Sequence, residues 1–117
     1  MKKAYYLKTC DTCKRIIKSL PSVDKMIFQD IKEDSITLKQ LEEMYALSKS
    51  YEKLFSKRAK FYKERNLKDE TLSENDYKNF ILEHYTFLNR PVFIVEDKIF
   101  IGNSSKNIET LTSELSK

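Results

Sequence analysis

The spacing of apolar positions in the first part of the chain predicts a strand, a helix and a second strand. Residues 4–7 form a short β-prone run, which predicts the first strand. After Cys10 the apolar positions change to helical spacing, with Cys13 at the start of an apolar stripe, and Pro21 ends the predicted helix. Residues 26–28 predict the second strand. Cys10 is therefore expected where a strand passes into a helix.

The middle of the chain has helical spacing only. Thr37, followed three positions later by Gln40, has the pattern of a capping box and predicts a helix through about residue 47. Residues 50–68 carry isolated apolar anchors between charged side chains, which predicts several short helices. A longer helix is predicted after Ser73, with an apolar stripe made of Tyr77, Phe80, Ile81, His84 and Tyr85.

The C-terminal part predicts two more strands and a final helix. Residues 92–95 and 99–101 are short apolar runs with a spacing that favours an antiparallel hairpin. Gly102, the only glycine, follows directly. It indicates a backbone position that needs positive φ or a close approach, or else a simple turn. The final helix is predicted to be capped by Ser104 or Ser105, and its apolar positions are Ile108, Leu111 and Leu115.

The order of these elements predicts the fold class. A β-α-β unit, a helical insert at about residues 36–88 and a β-β-α unit together resemble the thioredoxin arrangement. We therefore expect an α/β protein with a thioredoxin-like fold and a mixed four-stranded sheet. A chain of 117 residues has room for one core of ordinary size, so residues 1–117 are predicted to form a single domain.

Composition and charge exclude several classes of function. No apolar run approaches the roughly 20 residues that a membrane span needs, and the N-terminal apolar segment is too brief for a signal peptide. The net charge of +4 comes from 22 basic and 18 acidic side chains spread along the chain, so it gives little support for direct nucleic acid binding. We expect a soluble cytoplasmic protein with no membrane partner.

The two cysteines are the strongest candidates for chemistry. In a reducing compartment a close cysteine pair is more often catalytic or metal-binding than a structural disulfide. Cys10 is the expected nucleophile, because helix N–H groups, Lys14 and Arg15 favour its thiolate, although Asp11 opposes them. Cys13, on the buried stripe, is the expected resolving thiol. The alternative for Cys13 is a small buried side chain whose spacing from Cys10 is accidental.

A zinc site is the other interpretation of the cysteine pair. A structural zinc site needs four ligands, and besides the two cysteines the chain offers only one histidine, His84. Its position among aromatic side chains favours a packed histidine, so no metal and no bound cofactor are expected.

Three stretches resemble the signature regions of the arsenate reductase (ArsC) family. They are Cys-Asp-Thr-Cys-Lys at residues 10–14, Ser-Lys-Arg-Ala-Lys-Phe-Tyr-Lys at 56–63 and Asn-Arg-Pro-Val at 89–92. The resemblance spans nearly the whole chain. The family includes glutaredoxin-linked arsenate reductases, Spx transcriptional regulators and YffB-type proteins. The first two stretches resemble the YffB branch, and the second cysteine resembles Spx.

The resemblance implies roles for several residues. Arg90 matches one of three arginines that hold the oxyanion in arsenate reductases, whereas Ser56 and Ile101 stand at the positions matched to the other two. Losing two guanidinium groups is expected to weaken oxyanion binding by several kcal/mol, so efficient arsenate reduction is not expected. Arg58 matches an arginine of the YffB and Spx signatures, with a solvated basic residue as the alternative. Pro91 is expected to be cis and to face the cysteines, or else to be an ordinary strand-entry proline.

The leading hypothesis is a thiol-disulfide oxidoreductase of this family, with Cys10 as nucleophile and Cys13 as resolving thiol. In this hypothesis Lys14, Arg58, Arg90 and Pro91 bind an anionic partner such as glutathione or another small disulfide. Glutathione, glutaredoxin or thioredoxin is the expected reductant. The alternatives are an Spx-like regulator that binds the RNA polymerase α subunit, with the cysteines as a redox sensor, and a true arsenate reductase. The fold alone does not separate these functions.

Overall fold

The structure is a computed structural model that describes all 117 residues. The chain divides into two compact units, one made of Met1–Asp34 and Arg90–Lys117 and the other of Ser35–Asn89. The strands are β1 (Lys2–Tyr6), β2 (Met26–Asp30), β3 (Val92–Val95) and β4 (Lys98–Ile101). The helices are α1 (Asp11–Ser19), α2 (Leu38–Ser48), α3 (Tyr51–Leu54), α4 (Lys60–Glu64), α5 (Glu74–Glu83) and α6 (Ser105–Leu115), with 3₁₀ turns at Leu67–Asp69 and Tyr85–Phe87.

The first unit contains a mixed four-stranded sheet in the order β2-β1-β3-β4. Strand β1 pairs in parallel with β2, with Lys2 opposite Met26, and antiparallel with β3, with Lys2 opposite Val95. Strand β1 starts earlier than the predicted run, and β2 extends beyond its predicted end to Asp30. Backbone pairing with neighbouring strands explains both extensions, because it does not require apolar side chains. The predicted mixed sheet is confirmed.

One apolar cluster holds the first unit together. It combines strand residues with one side of each helix of this unit, so both helices are held against the sheet by burial of apolar surface. Its buried members are Ala4, Ile16, Leu20, Met26, Phe93, Val95, Phe100, Leu111 and Leu115.

The hairpin and the turn after it follow the sequence prediction closely. Strands β3 and β4 pair antiparallel, and Glu96 takes a left-handed conformation with φ 56° in the two-residue connection. Gly102 has φ 86°, and its N–H donates to the carbonyl oxygen of Pro91 at 2.9 Å. A left-handed backbone is easily adopted by glycine, so the predicted special position is confirmed. Ser104 is the cap of α6, since its hydroxyl accepts the N–H of Asn107.

The second unit is helical, as the spacing predicts. The capping box of α2 is present, because the side chains of Thr37 and Gln40 each accept the other residue's backbone N–H. Helices α3 and α4 and the first 3₁₀ turn are the predicted short helices. Phe55 lies at the centre of an aromatic cluster whose other members are Tyr62, Tyr77, Phe80 and Phe87.

Helix α5 ends earlier than the apolar stripe in the sequence predicted. The stripe included His84 and Tyr85, but the helix stops at Glu83, and His84 has an extended backbone with φ −153°. The reason is local, because Nδ1 of His84 accepts the N–H of Thr86 at 3.1 Å and thereby starts the second 3₁₀ turn. The ring of His84 packs against Phe61 with a centroid distance of 4.7 Å.

No helix in the structure is both long enough and apolar enough to cross a membrane.

Candidate thiol site

A short loop between β1 and α1 holds the first thiol at the start of the helix. The N–H of Cys10 donates to the carbonyl oxygen of Leu7 at 3.0 Å, and its own carbonyl accepts the N–H of Lys14 at 3.1 Å. Cys10 is the N-cap residue of α1, with an extended backbone at φ −87° and ψ 116°. Its side chain makes no capping hydrogen bond of the kind that a serine makes. The first N–H groups of α1 are thus left facing a sulfur atom.

Cys10 is half-buried, and its surroundings favour the thiolate on balance. Partial burial raises the pKa of the Cys10 thiol, but the N–H and the thiol of Cys13, the charge of Arg90 and the N–H of Thr12 together lower it below its ordinary value. Backbone N–H groups at a helix start are known stabilisers of a thiolate. The sequence predicted that Lys14 and Arg15 are the cations that favour the thiolate, whereas in the structure the charge of Arg90 lowers the pKa of Cys10.

Cys13 lies one turn further along α1 and has no exposed surface. Burial raises the pKa of Cys13 to about 11, with the N–H of Leu7 acting in the opposite direction and the neighbouring Cys10 adding to the increase. Both cysteines are free thiols in this structure. The surroundings therefore shift the two thiols in opposite directions, with the pKa of Cys10 lowered and the pKa of Cys13 raised.

The contact between the two sulfurs links their protonation states. The thiol of Cys13 donates to Cys10, which lowers the pKa of Cys10 and raises the pKa of Cys13. A thiolate that accepts a hydrogen bond from a neighbouring thiol is a nucleophile with its partner already adjacent. This arrangement can attack a disulfide and then close an internal one.

Arg90 and Pro91 join the two cysteines in the first unit. Arg90 is half-buried, and its charge lowers the pKa of both thiols. The Arg90–Pro91 peptide bond is cis, so that prediction is confirmed. Pro91 is fully buried and accepts the N–H of Gly102.

The other candidate binding residues differ in position. The Lys14 side chain is exposed on α1. Arg58 belongs to the second unit, where it lies exposed in the turn between α3 and α4. In the same unit the N–H of Ser56 donates to the carbonyl oxygen of Phe87 at 2.8 Å. Ile101 ends β4, so neither Ser56 nor Ile101 brings a cation to the position that the family resemblance assigns it.

Sequence reasoning missed two residues that shape the thiol loop. The carbonyl oxygen of Leu7 accepts the N–H of Cys10. The N–H of Leu7 donates to the sulfur of Cys13 and lowers the pKa of that thiol. The Asp30 carboxylate accepts the N–H groups of Lys8, at 3.4 Å, and Lys32, at 3.2 Å. Leu7 acts through its backbone, so its side chain gives no signal. Asp30 lies two residues beyond the predicted second strand, and a carboxylate in that place is a usable signal for a loop contact.

No group of three or more histidine, cysteine or acidic side chains lies close enough together to hold a metal ion. The ring of His84 instead stacks on Tyr85, with a centroid distance of 4.4 Å.

Comparison with known proteins identifies the family. The sequence model of the ArsC family matches residues 5–111. The chain belongs to the ArsC family. A curated relative, the global transcriptional regulator Spx 2 of Bacillus cereus, is 26% identical over 107 residues, which is 89% of this chain and 81% of the relative.

Solved structures give the same fold. A YFFB protein superposes with a TM-score of 0.78 at 17% identity, covering 98% of this chain and 99% of that one. An arsenate reductase from Vibrio cholerae superposes with a TM-score of 0.74 at 16% identity, covering 96% of this chain and 95% of that one. The ArsC-family and thioredoxin-like fold predictions are confirmed. It is a thiol-dependent ArsC-like protein.

Proposed function

We propose that this ArsC-family chain is a cytoplasmic thiol-disulfide oxidoreductase. The Cys10 thiolate attacks one sulfur of a substrate disulfide, the substrate S–S bond breaks, and the leaving sulfur departs with the electron pair. Cys13 then loses its proton and attacks the sulfur of Cys10, which releases the second substrate thiolate and forms a Cys10–Cys13 disulfide. An external thiol reduces that disulfide and completes the cycle.

The opposite pKa shifts of the two cysteines, together with their difference in exposure, are the observation that carries the proposal. The attacking sulfur needs to be a thiolate with access to solvent, and Cys10 is half-exposed with a lowered pKa. The resolving sulfur has to be withheld from outside reagents, and Cys13 is buried with a pKa of about 11.

Formation of the mixed disulfide itself makes the second step easier. Cys10 loses its negative charge when it bonds to the substrate, and it no longer accepts a hydrogen bond as a thiolate. Both of these effects contribute to the high pKa of Cys13 in the reduced protein. The pKa of Cys13 therefore falls once Cys10 is bonded, and the resolving thiolate forms only when it is needed.

Arginine and lysine side chains suit an anionic thiol partner such as glutathione. Arg90 already acts on both sulfurs, and a guanidinium holds a carboxylate with charge-assisted hydrogen bonds. Lys14, Arg58 and Pro91 complete the proposed binding set by their match to the family signatures. Glutathione with glutaredoxin, or thioredoxin, is the proposed reductant.

The test is a comparison of two substrates in one preparation. We expect kcat/KM for a glutathione mixed disulfide to exceed that for arsenate, because Ser56 and Ile101 offer no cation to an oxyanion. Cys10→Ser should abolish turnover of both substrates, and Arg90→Ala should slow turnover of the anionic disulfide. Circular dichroism checks that both variants fold. If micromolar arsenate saturates the wild type and is turned over faster than the disulfide, the proposal is wrong and the protein is an arsenate reductase.

A transcriptional regulator is the second candidate. The observation that favours it is the relative named as a global transcriptional regulator, which aligns with 89% of this chain. In that function the Cys10–Cys13 pair would sense oxidation, and the RNA polymerase α subunit would be the partner. A pull-down with the purified α subunit separates the two candidates, since a stable complex together with no disulfide turnover supports the regulator.

A further inference from the structure

The exposed side of α1 carries cations without acidic partners. Lys14, Arg15 and Lys18 are exposed, and none of them forms an ion pair within 4.0 Å. Lys18 is four positions after Lys14 and three after Arg15, so the three side chains lie on one side of the helix, hereafter the α1 basic stripe. Asp11 is the only acidic residue of this helix, which leaves the stripe with an excess of positive charge.

Several cations elsewhere in the structure have an acidic partner, whereas isolated ones such as Lys25 and Lys106 do not. In the first unit, Lys98 and Lys117 both pair with Glu114 at 3.0 Å. In the second unit, Lys57 pairs with Glu52 at 2.6 Å. Arg65 of that unit likewise pairs with Glu83, at 2.8 Å. The α1 basic stripe differs from these pairs, and it starts at the helix end where Cys10 lies.

The length of the stripe indicates the size of the ligand. Lys18 is eight residues beyond Cys10, which is about 12 Å along a helix at 1.5 Å per residue. An extended tripeptide spans about 10 Å, so one bonded to Cys10 through its central cysteine extends only about 5 Å to either side. The backbone of a tripeptide thiol such as glutathione therefore ends short of Lys18, whereas a longer acidic segment covers the whole stripe.

From these observations, and resting on the proposed function, we infer that the α1 basic stripe is a docking surface for an acidic protein segment carrying the disulfide or thiol that reacts with Cys10. Nucleic acid shares the negative charge but has no sulfur to exchange with Cys10. The stripe begins at Lys14, about 6 Å along the helix from Cys10, which is within the Debye length of about 8 Å at physiological salt, so its charges act on approach of the partner. Such charges raise association rates and make them depend on salt.

The test uses three activated disulfides that release 2-thiopyridone. Two are the peptides Glu-Glu-Gly-Cys-Gly-Glu-Glu and Gln-Gln-Gly-Cys-Gly-Gln-Gln, and the third is glutathione, each joined through its cysteine sulfur to 2-thiopyridine. Attack by Cys10 forms a disulfide with the peptide sulfur, and thiopyridine leaves with the electron pair. The rate of thiopyridone release is measured at about 10 mM and about 1 M salt, where the Debye length is about 30 Å and about 3 Å.

The matched variants are Arg15→Gln/Lys18→Gln and the control Lys25→Gln/Lys106→Gln. Both remove two exposed cations, and none of the four is among the groups that shift the pKa of Cys10 or Cys13 in the structure. For the wild type at low salt, we expect the acidic peptide to react about five- to tenfold faster than the neutral one, with the difference lost at high salt. The stripe variant should lose most of this preference, react normally with the glutathione conjugate, and keep the wild-type rate with iodoacetamide. The control variant should behave as the wild type.

Two results would overturn the inference. One is an equal rate for both peptides in the wild type at low salt. The other is an equal loss of preference in both variants, which would mean that the net charge of the protein, and not the α1 basic stripe, causes the preference for the acidic peptide. A failure of Cys10 to react with any of the three disulfides contradicts the proposed function instead, so the two claims fail by different outcomes.

Discussion

The first turns of α1 and α5 satisfy their backbone N–H groups differently. In α5 the hydroxyl of Ser73 accepts the N–H of Asp76 at 3.2 Å, and the carboxylate of Asp76 accepts the N–H of Ser73 at 2.9 Å. In α1 a cysteine stands at the cap position and makes no such bond. A neutral thiol is a weak acceptor, and a thiolate is a strong one. Helix α5 therefore gains stability from a cap whose serine hydroxyl does not ionise, whereas the N–H donors of α1 favour ionisation of Cys10.

The largest expected effect tests whether the cap of α1 is a reactive group. Cys10→Ser should reduce disulfide turnover by roughly 10³-fold or more, because the hydroxyl does not ionise near neutral pH. The same change should leave the free energy of unfolding unchanged or raise it by up to about 1 kcal/mol, since serine is a good N-cap. Turnover and urea unfolding are measured on the same samples. A loss of more than about 1 kcal/mol would show that Cys10 is a structural residue.

A smaller effect is expected in the pH dependence of stability. The raised pKa of Cys13, about 11, means that the folded state keeps a proton that the unfolded chain loses above about pH 8.5. The stability contribution of Cys13 is thus complete below about pH 8.5 and is lost as the pH rises towards 11. The lowered pKa of Cys10 acts in the opposite sense, because its contribution is lost as the pH falls through the lowered value.

Cys13→Ala isolates this effect. We expect the unfolding free energy of the reduced wild type to fall by roughly 1–3 kcal/mol more than that of the variant across this alkaline range. Burial also raises the pKa of Tyr51 and Tyr77, but these groups are present in both proteins and cancel in the difference. Parallel curves for the two proteins would contradict the raised pKa of Cys13.

The cap of α5 should matter for stability alone. Ser73→Ala removes one side of the capping box and is expected to cost about 1 kcal/mol of unfolding free energy, with Ser73→Asp as the control that keeps a cap. The alkylation rate of Cys10 should be unchanged in both variants. A large change in the alkylation rate of Cys10 in either variant would remove the distinction between the two caps.

Much of the fold is predictable from local sequence, and the site is predictable in part. The capping box at Thr37 and Gln40 and the positive φ of Gly102 follow from short-range rules, so the sequence identifies both. The end of α5 does not follow from spacing, because His84 uses its ring to cap the next turn. Cys10 and Cys13 are identified by spacing and by their place after a strand. The cation acting on them is Arg90, about 80 residues away in sequence, and only the family resemblance indicated it.

The smallest expected effect concerns that cation. Arg90→Gln should raise the pKa of both cysteines, because the positive charge that lowers each of them is removed. The pH dependence of alkylation gives the pKa of Cys10 in the variant, and Lys106→Gln is the control for loss of an exposed charge. An unchanged value in Arg90→Gln would leave the helix N–H groups and Cys13 as the only groups that favour the thiolate.

The pKa of Cys10 in the reduced wild-type protein is the most direct test of the central claim. Alkylation by iodoacetamide is followed across pH, and mass spectrometry identifies which cysteine is labelled at each time. We expect Cys10 to be labelled first, with a pKa below the value of about 8.5 for a free thiol, while Cys13 stays unlabelled until the protein unfolds or the pH approaches its own high pKa. A Cys10 pKa at or above the free value, or earlier labelling of Cys13, would contradict the assignment of nucleophile and resolving thiol.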